Sequence, residues 1–336
     1  MKGYGLTAAV ALALVATGAG AQGMVFTSWG GTTQDAQTKA WATPFTEATG
    51  IAVVQDGPTD YGKLRAMVEA GRVTWDVVDV EYDYALQACG QGLLEPLDFS
   101  VIDRRDLDPR FVSDCAVGSF YFSFVLGYNP ANFPDARPAS LADLFDTERF
   151  PGKRTFYQWA APGVIEAALL ADGVAPDDLY PLDLDRAFAK LDTIKDEIIW
   201  WSGGAQSQQL LASGEAPIGL FWNGRLAAIQ ADGLDVGIVW EQNITAADAL
   251  VVPKGAPNRE AAMQFIAHAT SPEAQAEFAA LTGYAPINLR SPDLMDPAIR
   301  ATLPDMQTAM QINADLAYWG EHRDEIAARW YAWQAE

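Results

Sequence analysis

The sequence predicts a two-lobed α/β protein with a cleft between its lobes. Three observations carry that expectation. The chain has 336 residues, too many for one compact core and suited to two. Short apolar runs alternate with amphipathic helical runs across short joins, the pattern of helices packed on a parallel sheet. The alternation breaks and restarts, with long apolar strands at residues 119–130 and 247–255, where the chain would cross between two units.

The first unit opens with the strand "MVFTSWGG" (24–31). Residues 33–50 follow as a helix, with Trp41, Phe45 and Ala48 on one face and Gly50 as the C-cap. Pro44 inside it argues against a straight helix. A strand at 51–55, a helix at 60–71 and a strand at 75–81 complete a parallel unit. Ligands in such sheets sit at the carboxyl ends of the strands, here Trp29–Thr32 and Glu81–Asp83. The second unit reads as strands at 153–159, 197–201 and 216–224, with helices at 163–173, 184–194, 206–214 and 225–233. A strand at 235–242 leads to the return strand at 247–255. Helices at 258–270 and 271–283 follow, the second with Ser271 as N-cap and Pro272 at the first helical position.

Composition narrows the function. The formal net charge of -22 excludes the basic footprint of a nucleic-acid binder. The N-terminus has one early Lys, an apolar run from Leu6 to Ala16 and then small residues. Ala19-Gly20-Ala21 fits a signal-peptidase site, leaving Gln22 as the first mature residue. The competing reading, a membrane anchor, asks for a longer apolar run. Cys89 and Cys115 are an even pair in an exported chain, which predicts one disulfide rather than two separate buried thiols. Closing a loop of that length contributes roughly 3 kcal/mol in the loop-entropy model. His268 and His322 are the two histidines, and neither stands at metal-ligand spacing to a cysteine. No nucleophile elbow, zinc-protease motif or phosphate loop is present, so neither a metal, a cofactor nor an enzyme activity is expected.

One stretch is unusual. "LFWNGRLAA" (220–228) places Arg225 directly after a strand end and beside Trp222, in a chain poor in basic residues. Together with "FTSWGG", "FTEATGIAVV", "WDVVDVEYDYALQACGQGLLEPLD", "ADALVVPKGAPNREAAMQFI" and "LTGYAPIN", it resembles the periplasmic solute-binding proteins of ABC importers (family 1), specifically the spermidine/putrescine-binding group. The resemblance runs in order along the mature chain. It implies a class II venus-flytrap fold whose lobes close by a hinge on a ligand in the cleft. It also implies a periplasmic monomer that hands its ligand to a permease in the inner membrane. The implied segments are a signal peptide at 1–21, one lobe of 22–127 with 249–290, and another of 128–248 with 291–336.

The same resemblance implies the ligand residues. The indole after the first strand falls on Trp29, and the end of the third strand on Glu81 and Asp83. The Trp of the family's W-N-G falls on Trp222, the carboxylate that holds an ammonium on Asp248, and the Tyr of G-Y-x-x-x-N on Tyr284. Two departures redirect the ligand. Ala160-Ala161-Pro162-Gly163 stands where polyamine binders carry an acidic pair, and Arg225 where they carry a small polar residue. A guanidinium repels a diamine and pairs with a carboxylate. The expected ligand is therefore a zwitterionic ω-amino acid such as γ-aminobutyrate. Putrescine or spermidine is the alternative, with Glu81 and Asp83 replacing the missing acids, and a secreted hydrolase or lyase is a third reading. Structural roles compete at each position: Arg225 paired with Glu241, Trp29 and Trp222 as core indoles, Asp248 capping a turn, and a solvated Glu81 or Asp83.

Overall fold

The computed structural model describes residues 23–307 and 310–336. The expected signal peptide therefore lies outside the described residues. Among the described residues nine strands are formed: β1 (Met24–Thr27), β2 (Val53–Asp56), β3 (Val77–Glu81), β4 (Ala116–Tyr128), β5 (Arg154–Tyr157), β6 (Ile198–Trp201), β7 (Ile218–Trp222), β8 (Gly237–Val251) and β9 (Gln311–Asn313). They make one sheet in the order β2-β1-β3-β8-β4-β7-β5-β6, with β9 beside β8.

The sheet has two parallel ends and an antiparallel middle. β2, β1 and β3 run parallel, as do β7, β5 and β6. Between them β4 and β8 pair antiparallel along most of their length, with register shifts between Gly118 and Phe120 and between Phe124 and Leu126. β8 borders β3 through residues 248–251. β4 borders β7 through residues 124–128. These two strands thus carry the chain from one parallel unit to the other. All 13 residues of β4 are buried, which explains its nearly unbroken apolar sequence.

Two expectations change. The segments 235–242 and 247–255 are one strand rather than two, because β8 runs on through Asn243–Ala246. Gln242 absorbs the irregularity with φ of 59°, opposite the second register shift of β4. The helix at 33–50 is interrupted. Residues Thr38–Ala42 wind as a π-helix between α-helical turns, just ahead of Pro44. Proline has no N–H to return to the carbonyl four residues back, and a wider turn is one way a helix accommodates that loss.

The buried apolar side chains form one large cluster that runs through both units and a smaller one around Val125, Phe221 and Leu226. Trp41 is fully buried, and its indole N–H donates to the Ala274 carbonyl at 3.2 Å. Cys89 and Cys115 are joined in a disulfide, which ties the helix Tyr82–Gly90 to the start of β4. The last helix, Leu316–Ala335, is capped by Asp315, whose carboxylate accepts from Tyr318 N at 2.9 Å. Near its start Gly320 lies so close to the Tyr82–Gly90 helix that a Cβ there would sit 3.0 Å from the Asp83 carbonyl oxygen. Further along, the indoles of Trp319, Trp330 and Trp333 donate to Glu166, to the Gln158 carbonyl and to Asp192. One helix therefore straps the first unit to the second. No helix among the described residues is long and apolar enough to cross a membrane.

Candidate ligand-binding site

The strand ends of both units meet at one small cavity. β1 runs into Trp29 and then into two glycines with φ of 74° and 58°, Gly30 and Gly31, from which a helix starts at once. β3 ends at Glu81, and β7 at Trp222, each directly followed by a helix. β8 sets Asp248 opposite Glu81 in the antiparallel pair. Tyr284 follows Gly283, which ends the helix Pro272–Thr282 in the left-handed conformation.

Six of the seven ligand residues expected from sequence line this cavity: Trp29, Glu81, Trp222, Arg225, Asp248 and Tyr284. Thr33, Phe120 and Phe122 complete its wall. Asp83 does not line it. That side chain is buried and paired with Arg323 of the last helix. The same guanidinium reaches Glu81 Oε2 at 2.5 Å, and Tyr61 O–H donates to that oxygen at 3.1 Å. Tyr61 in turn stacks on Tyr84 with 3.6 Å between ring centres.

Two opposite charges in the wall, Asp248 and Arg225, have no ion-pair partner among the described residues. Asp248 is 5% exposed and forms no ion pair among the described residues. Burial pushes its carboxyl well above the usual carboxylate range. The negative charges of Asp79 and Glu81 push the same way, and the nearby indole of Trp29 works against them. Arg225 is 3% exposed and likewise meets no carboxylate among the described residues. Its Nη1 donates to Thr32 Oγ1 at 2.8 Å, and its guanidinium lies 6.0 Å from the Trp222 ring centre. Arg225 Nε and the indole nitrogens of Trp29 and Trp222 are buried donors without an acceptor in hydrogen-bonding geometry. An unmatched buried donor costs about 1–3 kcal/mol. A ligand acceptor that meets them recovers that cost.

Behind the cavity Asp79 is fully buried, on the same face of β3 as Glu81. Burial raises its carboxyl to about 7, although Ser119, Gln37 and Ser28 all donate to it. Burial also raises Glu81, and the Arg323 guanidinium opposes that rise. When ionised, the carboxyls of Asp248, Asp79 and Glu81 outnumber the Arg323 guanidinium, and an added cation favours that ionised form. At the Arg225 end the field favours an anion.

The competing structural roles resolve individually. Trp29 and Trp222 are half-buried wall residues rather than core indoles. Arg225 does not pair with Glu241, and Asp248 sits within β8 rather than in a turn. Neither histidine lines the cavity: His268 packs on Phe45 and His322 stacks on Tyr318. The sequence reading missed several neighbours. Phe120 and Phe122 alternate in "SFYFSF" and so share a strand face, a signal that was available. Thr32 lay in the strand end Trp29–Thr32 that the sequence marked, whereas Arg323 carried no signal, because its contacts come from segments far away in the chain.

Residues 40–308 match the model of the bacterial extracellular solute-binding proteins. The γ-aminobutyric acid-binding protein of Pseudomonas aeruginosa is 36% identical, over 94% of this chain and 91% of its own length. The spermidine/putrescine-binding periplasmic protein of Escherichia coli is 24% identical, over 79% of each chain. The solved structure of the Atu4243-GABA receptor is 68% identical with a TM-score of 0.88, covering 94% of this chain and 98% of that one. On the match of the family model over residues 40–308 and of the 36%-identical relative over 94% of the chain, this chain belongs to the bacterial extracellular solute-binding proteins.

Proposed function

We propose that this protein captures a short ω-amino acid, with γ-aminobutyrate as the fitting example, in the periplasm and delivers it to the permease of an ABC importer without chemically changing it. The observation that carries this reading is the presence of Arg225 and Asp248, buried and without ion-pair partners, in the wall of one small cavity. Asp248 would hold the ammonium. Arg225 would hold the carboxylate, with the buried indole N–H of Trp222 as a further donor. The indole faces and Phe120 and Phe122 would cover the methylenes, each worth about 0.8 kcal/mol when buried. The names of the γ-aminobutyrate-binding relatives support the same ligand, and the polyamine-binding relatives are more distant.

A diamine is the second reading, favoured by the acidic cluster of Asp79, Glu81 and Asp248. Two variants and two ligands separate the readings. Truncating one partner of a desolvated charge pair costs about 2–5 kcal/mol, and 1.4 kcal/mol is about tenfold in Kd. Arg225→Ala should weaken γ-aminobutyrate about thirtyfold or more while leaving putrescine unharmed or improved. Asp248→Ala should weaken both. Calorimetry that finds tight putrescine binding by the wild type, unaffected by Arg225→Ala, would establish the diamine reading instead. Ligand recovered unchanged after incubation, checked by NMR, distinguishes capture from hydrolysis or lysis.

The lobes of this reading are residues 22–127 with 249–290 and residues 128–248 with 291–336. β4 and β8 connect them and the last helix straps them. The protein would act as a monomer.

A further inference from the structure

The guanidinium of Arg225 lies against the start of the helix Gly204–Ala212. A Cβ built on Gly204 would stand 2.0 Å from Arg225 Nε, 2.3 Å from its Cζ and 2.7 Å from its Nη2. No side-chain carbon occupies that space while Arg225 stays where it is. The restriction is steric rather than conformational, because Gly204 sits in an ordinary helical backbone. Its neighbour behaves differently. Gly203 has extended φ and ψ of -159° and 155°, and a Cβ there would meet nothing within 4 Å. Two adjacent glycines thus have opposite tolerance for a methyl group, and only one of them touches the arginine.

On the other side Arg225 is held by Thr32 at 2.8 Å, and a Cβ on Gly31 would come 3.8 Å from its Nη1. The arginine is therefore clamped between the helix starts of the two units, with Gly204 as one jaw. We infer that Gly204 is a specificity-determining position of this binding protein: the missing side chain seats Arg225 where it receives a ligand carboxylate, and any larger residue displaces the guanidinium and removes the preference for carboxylate-bearing amines. This inference rests on the ω-amino-acid reading above.

The test uses calorimetry with γ-aminobutyrate and thermal melting on the full exported protein and four variants. Wild-type protein that does not bind γ-aminobutyrate overturns the ω-amino-acid reading, and this inference falls with it. Where the wild type binds, Gly203→Ala should stay within about twofold of it. Gly204→Ala should weaken binding about thirtyfold or more, as loss of one partner of a buried charge pair does. Helix propensity alone favours Ala over Gly, so a loss of stability in Gly204→Ala would come from the clash. Adding Gly204→Ala to Arg225→Ala should cost nothing further, because the two act through one group. Wild-type affinity in Gly204→Ala, or additive losses in the double variant, would overturn the inference. Should Gly204→Ala fail to fold, the Arg225→Ala background should restore its melting temperature by removing the clashing atoms, and no restoration is the overturning result.

Discussion

Asp248 faces the hardest electrostatic demand of any residue in the site. Burial and the charges of Asp79 and Glu81 hold its carboxyl well above the usual range, yet it must be ionised to hold an ammonium. An adjacent cation favours the charged form, so the ligand lowers the pKa that the empty site raises. A proton then leaves Asp248 on binding within the window between those two pKa values, and affinity rises with pH across it, by up to about tenfold per unit for one proton. The ligand ammonium does not titrate near neutrality, whereas Asp79, raised to about 7 by burial, and Glu81, also raised by burial, share the site with Asp248. The expected outcome is a Kd for γ-aminobutyrate that falls from pH 5 to pH 8, with proton release measured by calorimetry in buffers of different ionisation heat. Asp248→Asn should reduce the slope to the part that Asp79 and Glu81 contribute, and a flat wild-type profile would remove Asp248 as the ammonium partner. At this scale the sequence was informative where a functional residue sits beside a strand end. Trp29, Glu81, Trp222 and Arg225 all follow or close parallel strands, so their place was legible. Asp83 was not. Two residues past the end of β3 it lies in a helix, and its partner Arg323 lies 240 residues away.

The last helix shows what an element adds beyond its own sequence. Its N-terminal part packs on the helix that starts with Tyr82, and its indoles bond to the second unit. Arg323 is its buried charge, 8% exposed. Burial disfavours the guanidinium, but Asp83 and Glu81 outweigh that effect and raise it well above its ordinary range. Removing one side of a buried charge cluster is costly because the other charges stay behind. Arg323→Met should therefore lower stability by about 3–5 kcal/mol, read as a fall in the urea midpoint. Adding Glu81→Gln and Asp83→Asn should recover most of the loss. Unchanged stability in the single variant would mean that this cluster is solvated in solution. The elements of both parallel units were legible because apolar runs and capping residues such as Ser271 are local signals. The continuity of β8 was not, because its partner strand, rather than its own residues, holds Asn243–Ala246 in the sheet. The π-turn before Pro44 stood between these cases: the proline marked the spot, but only the packed helix shows how the chain winds past it.

Across the whole molecule, the site belongs to neither unit alone. Asp248, the boundary residue of the segment 128–248, pairs with Glu81 of β3 and so is held by the first unit, while Arg225 follows β7, and the Arg225–Thr32 hydrogen bond spans 193 residues of chain. A ligand that bridges Asp248 and Arg225 makes all its contacts only when the two units are together, so it stabilises the closed arrangement over any open one. β4 and β8 are the connections that must bend. Both carry register irregularities, and between them lies a buried polar group in which Ser123 bonds to Asn243 and Thr245 at 2.8 and 3.2 Å. Binding to the closed state alone should raise stability by RT ln(1 + [L]/Kd), about 2.7 kcal/mol at a hundredfold excess over Kd. γ-Aminobutyrate should therefore raise the melting temperature and, in small-angle X-ray scattering, reduce the radius of gyration. n-Butylamine, which lacks the carboxylate, meets Asp248 but not Arg225 and should produce neither effect at the same concentration. Equal compaction with both ligands would show that closure follows the ammonium end alone. A melting shift without compaction would show that the units are already together before the ligand arrives.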